Sequence, residues 1–393
     1  MQAVILSFES LAANSLGCYG NEWIETPNWD RLAASGIVFD NHFANTIGPN
    51  AGWSSSPPSS RPLPTDASAS LSLGKFLRTR QIATKLIVAG ARQAWQEQLD
   101  FDEVQTVVGR EGSDAPPDEV PIAALVKAGV AAWNDASFRQ GSRLLWLHSL
   151  APGVPPTGFE SLYFEDFEER GQVISELTDD ERARHPAVYA GAVSLLDHWL
   201  GELMQVVLES TDQPTLLIVT AAQGTLWHRI EQRSADSTNA WCDALTDQCI
   251  RTPLVLSVRH DPRSEDVTCT RSNHLTQCHH LESTLIDWFD QPSTTPESPA
   301  NETSWLRHHQ RPTTSVPPAY IASSHGDDAV RTSEWLLIRS RSGDSTSTGG
   351  DDTTTTATQR VSLFVKPEDI WDVSDVAPQH PEVIEGLLRQ FPC

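Results

Sequence analysis

The sequence predicts an α/β protein built on a mostly parallel, layered sheet, and three observations carry that prediction. Ala3–Phe8 is an unbroken apolar run with the length of a strand buried on both faces. Comparable runs recur at Lys85–Val88, Leu144–Leu147, Thr215–Thr220 and Pro253–Val258. Segments of helical period lie between them, the clearest from Ala187 to Glu209. There Val193, Leu196, Trp199, Leu200, Leu203, Val207 and Leu208 fall on one face. Strands alternating with helices imply right-handed crossovers within one sheet.

The 393 residues are enough for two to three domain-sized units. The spacing predicts an α/β domain over 1–290 and a Pro/Thr/Ser-rich linker over 291–318. A C-terminal unit follows over 319–393, with strands at Ser333–Arg339 and Arg360–Val365 and a helix from Pro381 to Gln390. Within it, the Ser/Thr/Gly/Asp stretch 340–358 cannot bury a core and reads as a mobile hairpin tip. Gly48–Ser70, packed with Ser and Pro, reads as a loop.

Composition narrows the function. Hydrophobic residues make up 39% of the chain and charged ones 20%, which excludes wholesale disorder. Lys and Arg total 28 against 52 Asp and Glu, a net charge of -24. Such a surface repels phosphate backbones and anionic lipid heads, so nucleic acid is not an expected partner. No apolar run approaches the ~18 residues of a membrane span. The start, Met1-Gln2-Ala3-Val4, has no basic region ahead of its short apolar stretch. As written, the chain is expected in the cytoplasm; it would be exported if the true start lies upstream. Its six cysteines show no CxxC spacing and read as reduced thiols. A Cys269–Cys278 disulfide is expected only in an exported protein.

One segment carries a family likeness. Leu16-Gly17-Cys18-Tyr19-Gly20 is followed by Thr26-Pro27-Asn28-Trp29-Asp30-Arg31-Leu32-Ala33 and then Gly36-Ile37-Val38-Phe39. Pro27 sits where a helix begins, with Asn28 and Asp30 near its first turn and Leu32, Ala33 and Phe39 as its buried side. This resembles the N-terminal signature of the sulfatase family, in the alkaline-phosphatase-like superfamily. The resemblance continues in order through Phe101–Val104, Leu144–Pro155, Tyr189–Leu203, Ile218–Gly224, Ile250–Leu254, Ala329–Ile338 and Asp369–Ile384. It implies a three-layer α/β sandwich with a mostly parallel central sheet, plus a small C-terminal antiparallel sheet and helix.

The resemblance also implies a chemistry: cleavage of a sulfate ester by a formylglycine made from the Cys or Ser of C/S-x-P-x-R. A divalent cation, usually calcium, assists, held by two adjacent Asp after the first strand and by the Asp and Asn/His of a later D-H-G or D-N-G turn. Here the first pair falls on Glu9 and Ser10, and the second on Ala222 and Gln223. One carboxylate, one hydroxyl and one amide do not offset the desolvation of a hard dication, so no metal or other cofactor is expected. The nucleophile position falls on Ala51, or on Pro49 if the alignment is anchored at Phe39; neither can become formylglycine. Ser56, in Ser56-Pro57-Pro58-Ser59-Ser60-Arg61, is a near miss with one residue too many. The family's lysine and histidine after the second strand fall on Ala89 and Ala91, its A-P-H-x-P histidine on Gly153 and a further lysine on Cys242. His148 is close enough to substitute for one of them.

His274 and Cys278 stand four apart in what reads as the exposed, polar start of a helix ending at Phe289, with a zinc pair as the alternative reading. Trp53 and Trp227 follow the former active-site loops and are candidates to cover the old pocket. The expectation is a sulfatase-like pseudoenzyme with a binding or regulatory role toward a small molecule or a protein. Its pocket would be bounded by Glu9, Ser10, Ala51, Gly153, Ala222 and Gln223 and ill suited to sulfate or phosphate anions. The alternative is a divergent hydrolase of the same superfamily leaning on Glu9, Ser10 or Ser56, with His148 as acid or base.

Overall fold

The computed structural model describes residues 1–48, 53, 73–90, 95–96, 99–150, 152–169, 178, 185–209, 213–227, 244–259, 269–290, 303–308, 317–340 and 360–391. The chain runs β1 (Gln2–Ser10), α1 (Pro27–Ala34), β2 (Ile37–Phe43), β3 (Thr46–Ile47), α2 (Leu73–Thr79), β4 (Ala83–Ala89), β5 (Glu103–Val107), α3 (Pro121–Asn134) and β6 (Arg143–Ser149). It continues through α4 (Thr157–Glu169), α5 (Pro186–Glu209), β7 (Thr215–Gln223), α6 (Asp247–Ile250), β8 (Leu254–Arg259), β9 (Thr270–Gln277) and α7 (His280–Phe289). Last come α8 (Trp305–His308), β10 (Ala319–Ser323), β11 (Asp328–Arg331), β12 (Trp335–Ser340), β13 (Arg360–Val365) and α9 (Pro381–Leu388).

Eight strands form the central sheet in the order β5-β4-β6-β1-β7-β8-β2-β9, parallel except that β8 runs against both neighbours. Burial on both faces explains the apolar runs. Val4, Leu6 and Phe8 enter one core with α1, α3, α4 and α5, while Ala3 and Ile5 enter another with α2, α7 and Trp305. The expected three layers are present. A second sheet, β13-β12-β11-β10-β3, is antiparallel except at β3, which joins β10 in parallel from the first fifty residues. The C-terminal sheet is therefore tied directly to the N-terminal part of the chain.

Two expectations are corrected. Phe39 does not belong to the α1 face: Gly36 ends that helix against the Leu256 carbonyl, where a Cβ would stand 2.4 Å from the oxygen. The β-branched Ile37 and Val38 then open β2, with Phe39 following. Residues 270–277 are an extended strand rather than the exposed start of a helix. Ser272, His274 and Thr276 alternate into the interior, and the helix begins only at His280. Of the expected linker, 291–302 and 309–316 lie outside the described residues. Trp305 within it is fully buried and its backbone N–H donates to Thr284 Oγ1. The expected hairpin tip lies outside the described residues from 341 to 359.

The signature residues are staples of the fold. Asp197 of α5, 2% exposed, accepts the backbone N–H groups of Asn28 at 2.9 Å and Trp29 at 2.8 Å. It thereby caps α1, whose own Thr26 makes no side-chain cap and instead accepts the Gly17 N–H. Burial pushes the Asp197 carboxyl above its ordinary range even though these donors hold it down. Tyr19 donates its hydroxyl toward the carbonyls of Phe39 and Leu254 and accepts the Leu254 N–H, locking the signature loop to β2 and β8. Asp197→Ala leaves two helix-start donors without partners and is expected to cost about 2–4 kcal/mol. Asp197→Asn, which keeps an acceptor, should cost less; urea unfolding at pH 7 measures both.

Candidate functional site

The carboxyl ends of β1, β6 and β7 lie side by side, and strand parity sorts their side chains. Ser7 is in register with His148 and Thr220, so these share a face with Glu9 two residues on. Ser10 is in register with Gln223 on the opposite face.

On the first face Trp146 Nε1 donates to Ser7 Oγ at 2.8 Å, and Ser7 Oγ lies 2.9 Å from His148 Nδ1. With Ser7 donating to Nδ1, the imidazole proton sits on Nε2. That nitrogen faces Glu9 Oε2 at 3.6 Å, and neither atom has a hydrogen-bond partner among the described residues. Trp95 stands edge-on to the imidazole, its ring centre 5.0 Å away, and Trp53 packs edge-on against Trp146. Ser7 is fully buried and spent on orienting the ring. The sequence reading missed its role, although period two already places it under Glu9. Nothing in the sequence marks Trp95.

On the second face the polar groups are consumed by backbone. Gln223 Oε1 accepts the Gly48 N–H at 2.9 Å and its Nε2 donates to the Gly48 carbonyl at 3.3 Å. Ser10 Oγ donates to the Gly224 carbonyl at 2.9 Å. Ala222, two residues beyond Thr220, lies instead on the first face and brings only a buried methyl group to it. These donors do not fit calcium, which takes about 6–8 oxygens converging on one point. Among Glu9, Ser10, Ala222 and Gln223 only Glu9 is anionic, and it faces His148.

Ala89 and Gly153 lie elsewhere, in the lining of a cavity of about 690 Å³ between the ends of β4 and β6 and the helix layer. Ala51, Ser56, Ala91 and Cys242 lie outside the described residues. Trp227 stacks on Tyr189 at 5.7 Å and on Trp23 at 6.0 Å and donates to Asn14 Oδ1.

The cysteines and histidines also regroup. An extended strand separates Cys269 from Cys278, which at about 3.3 Å per residue keeps the thiols far beyond disulfide reach. Both are free, Cys269 exposed and Cys278 buried. His274 and Cys278 are separated by strand rise rather than by a helical turn. Cys278 Sγ instead meets His42 Nε2 at 3.7 Å, and His42 Nδ1 pairs with Thr276 Oγ1 at 3.0 Å. Among the described residues no three His, Cys, Asp or Glu side chains gather as a metal site. Burial, with His279 nearby, lowers the His42 pKa to about 3, and burial lowers that of His279 to about 4. Burial pushes the Cys278 and Cys18 thiols up to about 12, with Asp30 adding to the shift at Cys18.

The layered sheet and its structural neighbours define an alkaline-phosphatase-like α/β protein. The phosphonate monoester hydrolase of Agrobacterium radiobacter is 15% identical, with a TM-score of 0.68 over 99% of this chain and 95% of that one. A Bacteroides thetaiotaomicron protein from a locus for metabolism of multiple glycosaminoglycans is 12% identical, with a TM-score of 0.69 over 99% and 94%. A protein solved with its substrate, D-glucosamine-2-N,6-O-disulfate, is 13% identical, with a TM-score of 0.64 over 98% and 96%. These likenesses establish the fold. No curated protein matches the sequence. The chain belongs to the sulfatase family, whose model, Sulfatase, it matches over residues 2–291. Among the described residues no helix is long and apolar enough to cross a membrane.

Two outcomes follow from the buried groups. His42 and His279 stay neutral in the native state while the unfolded chain protonates them near pH 6.5. Their stabilisation is complete above that pH and is lost as the pH falls toward 4, at up to about 1.4 kcal/mol per pH unit for each group. His42→Gln should flatten the slope of urea-unfolding free energy against pH in this window. In iodoacetamide labelling at pH 8, read by peptide mass, Cys18 and Cys278 should remain unmodified until urea is added, while Cys269 reacts in the native protein.

Proposed function

We propose that this sulfatase-family protein does not turn over sulfate esters and acts as a binding or regulatory module. The observation that carries this reading is the fate of the Gln223 amide. Both of its ends are spent on the Gly48 backbone, at a position where the family holds a metal ligand. Ser10 is likewise tied to a carbonyl and Ala222 is apolar, so Glu9 alone has an anionic oxygen to offer. Ala51, Ala89, Ala91, Gly153 and Cys242 replace the nucleophile and the lysine and histidine set, and groups that act as one catalytic unit lose most of their rate when any member goes. A sulfate anion would meet none of the charge that the family's chemistry supplies.

A second reading rests on one observation, the 3.6 Å approach of Glu9 to the buried His148. It makes them the acid–base pair of a divergent hydrolase whose nucleophile is a water or Ser56. Assays with aryl sulfate, phosphate monoester and phosphonate monoester, each with Ca²⁺, Mg²⁺ or Mn²⁺, separate the two. The expected result is no turnover above buffer and no shift of the melting temperature with EDTA or added Ca²⁺. Turnover lost on both Glu9→Ala and His148→Ala would sink the first reading and establish the second.

A further inference from the structure

The cavity of about 690 Å³ falls within the range of small-molecule sites and stands apart from the Glu9–His148 pair, neither of which lines it. Ala89 and Ser149, at the ends of β4 and β6, form its floor. Val188, Ala192, Leu195 and Leu196 of α5, spaced as one helical face, form a wall. At the mouth the apolar lining continues into water through Val108, 87% exposed, Val154, 47% exposed, and Leu150, 39% exposed. Large hydrophobic side chains left in water around one opening form a patch that a bound apolar molecule would cover.

Neither sign of charge finds a partner there. No Lys, Arg or His is among the described residues that line the cavity, so an anion entering it would lose hydration without compensation. The start of α3 borders it at Pro121 and Ile122, but a helix terminus supplies only about half an elementary charge. Glu160, 1% exposed, is already engaged within the protein, so its carboxylate serves the fold and not a ligand. Glu111 is exposed at the mouth, where water screens it and an ion pair contributes little. A cation therefore gains nothing by going in.

We infer that this cavity binds a neutral, apolar small molecule, its alkyl or aryl body lying along the α5 face and covering Val108, Leu150 and Val154 at the mouth. The inference rests on the binding-module reading and names its ligand class.

The test titrates the full chain by calorimetry with n-octanol, n-octylammonium and n-octyl sulfate, three probes with one body and different charge. Octanol should bind saturably and with a negative heat-capacity change, the mark of apolar burial. Each charged probe should bind about tenfold more weakly, a difference readily resolved by calorimetry. Ala192→Phe, which fills the cavity from α5, should abolish octanol binding. Val108→Asp combined with Val154→Asp, both at exposed positions, should weaken it severalfold without touching the core. No saturable binding of octanol, a charged probe binding as tightly as octanol, or undiminished binding by a folded Ala192→Phe would overturn the inference. If Ala192→Phe does not fold, the probe series and the paired Asp variant decide, and undiminished octanol binding by that variant overturns it equally. Failure here leaves the absence of sulfate-ester turnover standing, and turnover of aryl sulfate would remove that reading whatever the titrations give.

Discussion

The seating of β1 between β6 and β7 governs the rest of the molecule. Parallel ladders on both sides and apolar packing on both faces leave the strand one register, fixed from Gln2 opposite Arg143 and Thr215 to Phe8 opposite Ser149 and Ala221. From that register follow the sharing of a face by Ser7, Glu9 and His148 and the placing of Ser10 beside Gln223. A slip of one residue would exchange the two faces, exposing Glu9 to the backbone clamp and Ser10 to the tryptophan wall.

The carboxyl ends of these strands are where an α/β sheet offers groups to a ligand, because the crossover loops leave them open. In this chain one side of that edge has become structural. The Gln223 amide fastens Gly48, which directly follows β3, and β3 carries the hydrogen bonds that join β10 and the C-terminal sheet. A second tie lies nearby, where Lys366 binds Asp372, Asp372 accepts the Asp247 N–H, and Arg331 binds Asp247. These are buried charges in contact, so each is held in place by the cost of leaving its partner unpaired. Polar and charged side chains at this edge connect two sheets.

Much of this was legible in the sequence, for reasons particular to each element. The runs at Ala3–Phe8, Leu144–Leu147 and Thr215–Thr220 are buried on both faces, so composition alone identified them. The long amphipathic period of α5 did the same for its helix. β9 was misread because most of its buried residues, Ser272, His274, Thr276 and Gln277, are polar, which masks the strand. The signature around Leu16–Phe39 serves the fold through separate bonds, Tyr19 to Phe39 and Leu254, Thr26 to Gly17 and Asn28 to Asp197.

What the sequence determined by itself is the inventory. It shows which side chains are present, and that Ala51, Ala89, Ala222 and Gly153 carry no charge. Tertiary structure decided what the remaining polar groups do. Gln223 could have faced a ligand or a backbone, and only the approach of Gly48 turned it to the backbone. His148 could have been solvated; parallel register and the Trp146–Ser7 bond aim it at Glu9. The physical reason is that a side chain's type is local, whereas its partner comes from a strand or loop far away in the chain, and only packing brings the two together.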